Sequence, residues 1–454
     1  MLPEKFLHRM KELLGEGYAG FETSLAEPSV RAIRVNTLKT GLESFLSVYK
    51  GDLSPIEYTT DGFIPALSDG IGNTPEHHSG MFYVQDPGAM MPVNATEIPR
   101  GARVLDVCSA PGGKSSQLAA LIGEEGFLHA NEYVPKRAKI IVGNLERLGI
   151  RNAVVTSLDT AELGAMYSDY FDVVLCDAPC SGEGMFRKCD DAVTEWSEEN
   201  VLACAERQTE ILENVIGTLK PGGKLIYSTC TYSLEENEGV ILSLMRGHPE
   251  LSLIEVNPAV KAATMPGVAL DGVAELEHTR RFYPHISRGE GQFVAVLKKD
   301  ENSSISPTIL YKNTEIPPTK AEIAIVNEFL KSVFKSIPSG RLVKQGDGIS
   351  LIPFDTPIPP SRVFMAGVML GQIKGKLIMP HHQLFSAYGT DMKRKRVLSS
   401  GDPDVQKYLR GEEIDANGTE DGWCCVEYCG AALGAGKVSS GRVKNHYPKG
   451  LRIK

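Results

Sequence analysis

The chain has 454 residues, 42% hydrophobic and 23% charged, the balance of a soluble globular protein with room for about two to four domains. A net charge of −9 excludes a uniformly basic nucleic-acid binder, yet residues 371–454 carry fourteen Lys or Arg against nine Asp or Glu, a net +5 that leaves −14 for the rest. No apolar run reaches membrane-spanning length, Met1-Leu2-Pro3-Glu4-Lys5 does not open a signal peptide, and nine cysteines, an odd number, argue against a disulfide framework, so a cytoplasmic location is expected.

Phe6, Met10, Leu13 and Leu14 recur at helical spacing and predict an amphipathic helix over Leu2–Leu14. Arg31–Thr37 alternates like a strand. A loop-rich stretch with Asp69-Gly70-Ile71-Gly72-Asn73 and His77-His78 leads to a second strand, Met81–Gln85. Residues 1–85 therefore read as a small α+β module.

From Asp86 the pattern becomes strands alternating with helices. Apolar strands are expected at Val104–Val107, Gly126–Ala130, Ala153–Thr156, Val173–Cys176 and Leu225–Ser228. Late candidates lie near Leu253–Val256 and Phe293–Leu297, and helices at Val134–Leu148 and Val201–Leu219. Lys220-Pro221-Gly222-Gly223-Lys224 stops a helix before a strand. Such alternation specifies an α/β fold, a parallel sheet with helices on both faces, over residues 86–299. Asp300-Glu301-Asn302-Ser303-Ser304 and Ile316-Pro317-Pro318 read as linker, and Lys320–Phe334 as a helix. Residues 300–370 are expected to hold this linker and a small module, and 371–454 a last, basic one.

The loop after the first parallel strand, Cys108-Ser109-Ala110-Pro111-Gly112-Gly113-Lys114, is glycine-rich and opens a helix, so it can present backbone N–H groups to a ligand. It is not a phosphate-binding P-loop, because that motif needs Gly where Cys108 stands. The three spaced glycines of a dinucleotide loop are also absent. Glu132 follows the next strand, where a carboxylate accepts ribose hydroxyls. S-adenosylmethionine, with a ribose but no phosphate, satisfies both facts.

Two cysteines leave strands on this same edge of the sheet. Asp177-Ala178-Pro179-Cys180-Ser181-Gly182 follows one strand, and Thr229-Cys230-Thr231-Tyr232-Ser233 the next. A thiolate is the strongest nucleophile among side chains. Buried, inert cysteines are common, but two on a ligand-binding edge, each followed by small polar residues, point to chemistry. Cys424, Cys425 and Cys429 lack a partner pair at zinc-finger spacing, and His381-His382 supplies none, so no metal is expected.

These stretches, with Arg34-Val35-Asn36-Thr37-Leu38-Lys39 and Gln85-Asp86-Pro87-Gly88, resemble the RNA cytosine-5 methyltransferases of the Nop/Sun group over residues 30–299. The resemblance implies a Rossmann-like S-adenosylmethionine methyltransferase domain between RNA-binding modules. It makes Cys230 the nucleophile that adds to cytosine C6, with Cys180 as the alternate. Cys180 is otherwise the second cysteine, which removes the C5 proton and releases product. Asp177 contacts the pyrimidine near N3 and lies close to the cofactor. The loop Cys108–Lys114 takes the methionine and ribose region, Glu132 the ribose and Asp159 the adenine amino group. Arg137 is a further candidate contact, though it also reads as a solvated helix residue. The closing Lys444-Asn445-His446-Tyr447-Pro448-Lys449-Gly450-Leu451-Arg452 resembles the F-type bacterial small-subunit ribosomal RNA subgroup, whose C-terminal module is related to PUA domains. The implied partner is 16S ribosomal RNA. The same chemistry on tRNA, an inactive RNA-binding assembly factor and a small-molecule methyltransferase are the rivals.

Lys393-Arg394-Lys395-Arg396 is the densest basic run and is expected to meet RNA, with Lys437, Arg442, Lys444, His446, Tyr447 and Lys449. Arg187, Lys188 and Arg207 are candidates for RNA or structural contacts.

Overall fold

The computed structural model describes residues 2–66, 70–301 and 307–453. Asp69 in the expected loop and Asn302-Ser303-Ser304 in the expected linker lie outside them. The helix predicted at the start runs Glu4–Leu14 and buries Phe6 and Met10. A second helix, Tyr18–Leu25, follows. A four-stranded antiparallel sheet comes next, in the order Leu53–Pro55, Gly62–Pro65, Ala32–Val35, Phe82–Gln85.

Five strands form the parallel core of the large sheet, in the order Leu219–Thr229, Phe171–Asp177, Arg103–Asp106, Phe127–Asn131, Ala153–Thr156. These are the five apolar runs read from the sequence, buried because helices cover both faces. The first strand in the chain, Arg103–Asp106, has the second on one side and the fourth on the other. Chain direction thus reverses there, which opens a crevice at the carboxyl ends of the strands. Antiparallel strands flank the core. Gln292–Lys299 pairs with Leu219–Thr229, and Leu251–Leu253 pairs with Gln292–Lys299 in turn. The Pro-Gly-Gly stretch lies within the span Leu219–Thr229, where the register shifts between Leu219 and Lys224.

The opposite edge departs from expectation. Val363–Ala366, from the segment read as an independent small module, pairs antiparallel with Ala153–Thr156 and completes the sheet. Met365 and Ala366 are buried there, so the added strand covers an edge that would otherwise expose unpaired backbone. The expected boundary at 370 also cuts a sheet. Arg341–Gln345, Gly348–Ile352, Val368–Lys374 and Leu377–Pro380 form one antiparallel four-stranded unit across it. The last unit is a five-stranded sheet ordered Lys395–Leu398, Gly422–Tyr428, Ala431–Ser439, Arg442–Asn445, Ile414–Asp415.

Lys39 fastens three parts together. Its Nζ donates to the Ser79 carbonyl at 3.0 Å, to Ser386 Oγ at 3.1 Å and to the Ala432 carbonyl at 3.1 Å. Ser386 Oγ also donates to the Glu146 carbonyl, at 2.6 Å, at the end of the helix Pro135–Arg147. Burial lowers the Lys39 ammonium to about 7, since no carboxylate compensates it.

Candidate active site

The crevice holds an open cleft of about 550 Å³, lined by Cys108, Ser109, Ala110, Pro111, Gly113, Lys114 and Asp177 among others. The loop turns because Gly112 adopts φ +104°, and the helix Gly113–Ile122 starts from it. Gly112 itself does not line the cleft. Its neighbours are fixed from outside. Asn144 Nδ2 donates to the Pro111 carbonyl at 2.9 Å, and Arg137 Nη2 to the Ala110 carbonyl at 3.3 Å. Glu132 is 4% exposed and is not among the residues that line the cleft. Its Oε1 accepts from the Val134 N–H at 3.0 Å, and Oε2 lies 3.5 Å from Arg137 Nη1. Asp159 is an N-cap. Its Oδ1 accepts from the Ala161 N–H at 2.9 Å and opens the helix Thr160–Gly164.

The stretches Arg34–Lys39 and Gln85–Gly88 are clasps on this loop. Arg34 is buried and donates to Gln85 Oε1 at 2.6 Å, to the Gly113 carbonyl at 2.8 Å and to Ser116 Oγ at 2.7 Å. Asp86 Oδ1 accepts from the N–H of Gly88 at 2.8 Å and of Glu290 at 3.1 Å, while Lys188 Nζ reaches Oδ2 at 2.6 Å. Arg187 donates to Glu290 Oε2 at 2.8 Å and to the Ser24 carbonyl at 2.9 Å. Arg187 and Lys188 are thus structural contacts.

The two cysteine loops leave the sheet side by side because Asp177 and Ser228 are register partners. Cys180 Sγ and Cys230 Sγ lie 3.2 Å apart, both half-buried and both free thiols. The hydrogen bond to Cys230, then burial, raises the Cys180 thiol well above its ordinary range. Two thiolates at that distance would repel strongly, so the pair gives up one proton before the other. Either sulfur can be the donor in their contact. Asp177 lines the cleft, whereas neither Cys180 nor Cys230 does. Its Oδ2 is 2.8 Å from Lys114 Nζ, and its Oδ1 accepts from Ser228 Oγ at 2.7 Å.

Sequence reasoning missed three carboxylates. Glu236 is fully buried behind Cys180. Its Oε2 accepts from the Ser181 N–H at 2.9 Å and Gln208 Nε2 at 2.8 Å, and its Oε1 from Ser181 Oγ. Burial pushes it up to about 7 against these bonds. Glu183 accepts from Thr231 Oγ1 at 2.9 Å, the Tyr232 N–H at 3.0 Å and Trp196 Nε1 at 2.9 Å. Ser181 and Thr231 hydroxyls meet at 2.9 Å and lock one loop to the other. The third is Asp106, raised to about 7 by burial, with the Asp177 charge adding to the push and the Ser115 hydroxyl opposing it. Glu235-Glu236-Asn237 reads as surface in isolation. The available signal was an acidic pair directly after a loop that leaves a parallel strand. From outside, Phe6 and Phe21 pack on Tyr232, with Phe21 at 5.2 Å between ring centroids, so the opening helices buttress the Cys230 loop.

The basic run is not the free patch it was expected to be. Arg396 is buried and its Nη2 lies 3.1 Å from Asp404 Oδ2. Lys395 pairs with Glu427 at 3.0 Å, Arg394 approaches Glu420 at 3.8 Å, and Lys393 Nζ donates to the Lys331 carbonyl at 2.6 Å. Tyr447 is buried too, its hydroxyl 2.8 Å from His78 Nδ1. These charges assemble the C-terminal unit.

Three family models match the chain. Residues 2–87 match the N-terminal domain of 16S rRNA methyltransferase RsmF, residues 94–298 the 16S rRNA methyltransferase RsmB/F model, and residues 395–453 the methyltransferase RsmF PUA domain. Ribosomal RNA small subunit methyltransferase F of Aeromonas hydrophila is 34% identical over 99% of this chain and 97% of its own length. The protein of that name from Vibrio vulnificus is 33% identical, with the same coverage of both chains. A solved methyltransferase homologue from Pyrococcus horikoshii superposes with a TM-score of 0.58 at 29% identity, covering 65% of this chain and 95% of that one. Similar along nearly its whole length to such proteins, and with the same segments in the same order, the chain belongs to the ribosomal RNA small subunit methyltransferase F family.

Proposed function

We propose that this protein methylates C5 of a cytosine in small-subunit ribosomal RNA, with S-adenosylmethionine as donor, Cys230 as nucleophile and Cys180 as the group that completes the reaction. The observation that carries this reading is the pair of thiols 3.2 Å apart, on loops that leave the same edge of the sheet as the cleft lined by the Asp177–Lys114 ion pair.

The cleft suits the donor. Asp106 Oδ1 is buried without a hydrogen-bond partner, and Asp106 lines the cleft, so an ammonium group there would satisfy it. The loop Cys108–Lys114 would hold the methionine and ribose region, Glu132 the ribose hydroxyls and Asp159, through the oxygen not engaged in its cap, the adenine. When bound, S-adenosylmethionine supplies an electrophilic sulfonium methyl.

The thiol pair prepares the other reactant. Cytosine C5 is a poor nucleophile until sulfur bonds to C6. The Cys230 thiolate, stabilised by the Cys180 thiol, forms that bond, and the displaced π electrons make C5 enamine-like. Asp177, fixed by Lys114 and Ser228, faces the pyrimidine edge near N3. After transfer, Cys180 surrenders its proton to water and takes the proton from C5. The C5–C6 double bond re-forms, the S–C6 bond breaks and Cys230 leaves as thiolate. Glu183 and Glu236 act through the loops they tie together and keep both sulfurs in place.

The chemistry belongs to residues 86–299, completed by the strand Val363–Ala366, with residues 1–85 and 371–454 holding RNA. No helix among the described residues is long and apolar enough to cross a membrane, and the cytoplasm, where ribosomal RNA is met, is the proposed location. The names of the relatives favour ribosomal RNA over tRNA. Bisulfite sequencing of RNA from a strain lacking the gene tests this. One protected cytosine in small-subunit ribosomal RNA should become convertible and be restored by the parent protein but not by Cys230→Ala. A tRNA cytosine changing instead would establish the rival.

A further inference from the structure

With the run Lys393–Arg396 engaged internally, uncompensated positive charge lies elsewhere on the C-terminal sheet. Trp423, Lys437 and Lys444 stand opposite one another on three adjacent strands, in register, and so share one face. Lys437 Nζ is 5.6 Å from the centroid of the Trp423 ring, and the exposed His446 ring is 4.6 Å from it. Further along the same face Cys425 and Ala435 are buried, where the helix His382–Tyr388 covers the sheet. Phe385 of that helix touches Trp423, at 5.9 Å between rings. Trp423 is therefore the half-buried last residue of the core, with its outer side beside two exposed lysines.

Like charges directly opposite one another across a sheet are unfavourable. Neither Lys437 nor Lys444 has a hydrogen bond or ion pair to relieve this among the described residues. Anchored indole, cation over its ring and a cation pair without counter-charge together match the chemistry of a nucleotide, an aromatic base with a phosphate on either side.

We infer that this stripe is an RNA subsite, in which an unpaired base stacks on Trp423 while Lys437 and Lys444 take the adjoining phosphates. The inference rests on the proposed RNA substrate and goes beyond it by naming where a nucleotide remote from the thiols is held. A duplex is the wrong ligand, because its base faces are already stacked. His446, pushed below its ordinary range by partial desolvation and by the two lysines, closes the side of the indole.

The full-length protein tests this with a 12-nucleotide single-stranded RNA of mixed sequence and a duplex of equal length. Trp423→Ala should weaken single-strand binding between about fivefold and 150-fold, the range of one lost base stack, and Trp423→Phe should recover most of it. Lys437→Ala and Lys444→Ala should each flatten the salt dependence of single-strand binding by about 0.7 in log–log slope. The only other tryptophan, Trp196, is 8% exposed, so the accessible indole emission belongs to Trp423 and should be quenched by the single strand. Methyl transfer to a short RNA carrying the target cytosine separates the two readings. If that activity is intact in the parent but binding, quenching and salt slope are unchanged in these variants, the stripe is no RNA subsite and the proposed function stands. Loss confined to an acidic protein partner, with RNA binding unchanged, would equally overturn the inference. A parent that neither binds nor methylates RNA would overturn both. Because Trp423→Ala can also loosen the core, the lysine variants, exposed and unpaired, decide the case if that one fails to fold.

Discussion

Replacing Cys180 by Ala should turn a transient covalent state into one that can be isolated. In the proposed mechanism the Cys180 thiol, 3.2 Å from the Cys230 sulfur, donates to the Cys230 thiolate. A hydrogen bond to a charged group contributes about 1.5–3 kcal/mol, so its loss should slow attack on C6 by roughly 10- to 150-fold. In that mechanism Cys180 is also the base for the C5 proton, and such a base is worth about 10²- to 10⁴-fold. Release therefore suffers more than attack, by an order of magnitude at the middle of both ranges, and the adduct accumulates. Incubation with S-adenosylmethionine and an RNA containing the target cytosine, followed by a denaturing gel, should show a retarded protein–RNA band for Cys180→Ala. None should appear for Cys230→Ala. The target base must leave its stack for sulfur to reach C6, so unpaired sites should give more adduct than paired ones. A band from Cys230→Ala and none from Cys180→Ala would make Cys180 the nucleophile and refute the assignment.

Other outcomes follow from the same geometry. Glu132→Ala should weaken S-adenosylmethionine binding in calorimetry, and unchanged affinity would remove Glu132 from the site. Burial raises Glu236 from 4.5 to about 7, so its contribution to stability is complete below pH 4.5 and lost as pH rises through 7. Glu236→Gln, neutral throughout, should gain thermal stability relative to the parent between pH 5 and 8, by at most roughly 3 kcal/mol. A difference that stays constant over that window would exclude a titrating Glu236. Arg34→Met removes four hydrogen bonds from the buried clasp around Gly113, Ser116 and Gln117. It should lower cofactor affinity while leaving single-stranded RNA binding at the C-terminal sheet intact, and equal loss of both would point to general unfolding.

The five parallel strands were legible because a buried parallel strand is a short apolar run, and each run stood alone between turn residues. The chemistry was legible for a related reason, since loops leaving such strands on one edge must meet. The far edge was not. Val363–Ala366 pairs with residues more than two hundred positions earlier, and nothing local distinguishes such a strand from one in its own small domain. The internal pairing of the run Lys393–Arg396 was not legible, because its partners, Asp404, Glu420 and Glu427, are separate in sequence and reach it only through the fold. Glu236 was passed over altogether. A carboxylate between polar neighbours reads as solvated, and only the Ser181 and Gln208 donors explain its burial.

The Lys39 contacts also set an order of events during synthesis. The lysine is translated early, yet its bond to the Ala432 carbonyl spans 393 positions. At about 5–20 residues per second, that partner emerges roughly 20 to 80 s after the lysine does. Until then the ammonium stays hydrated and the socket between the first and central modules stays open on one side. Completion of the C-terminal sheet draws the cation out of water and seals the three parts together. The last unit to be made therefore completes a junction with the first and central modules. A chain released before residue 432 keeps both thiols but lacks this junction.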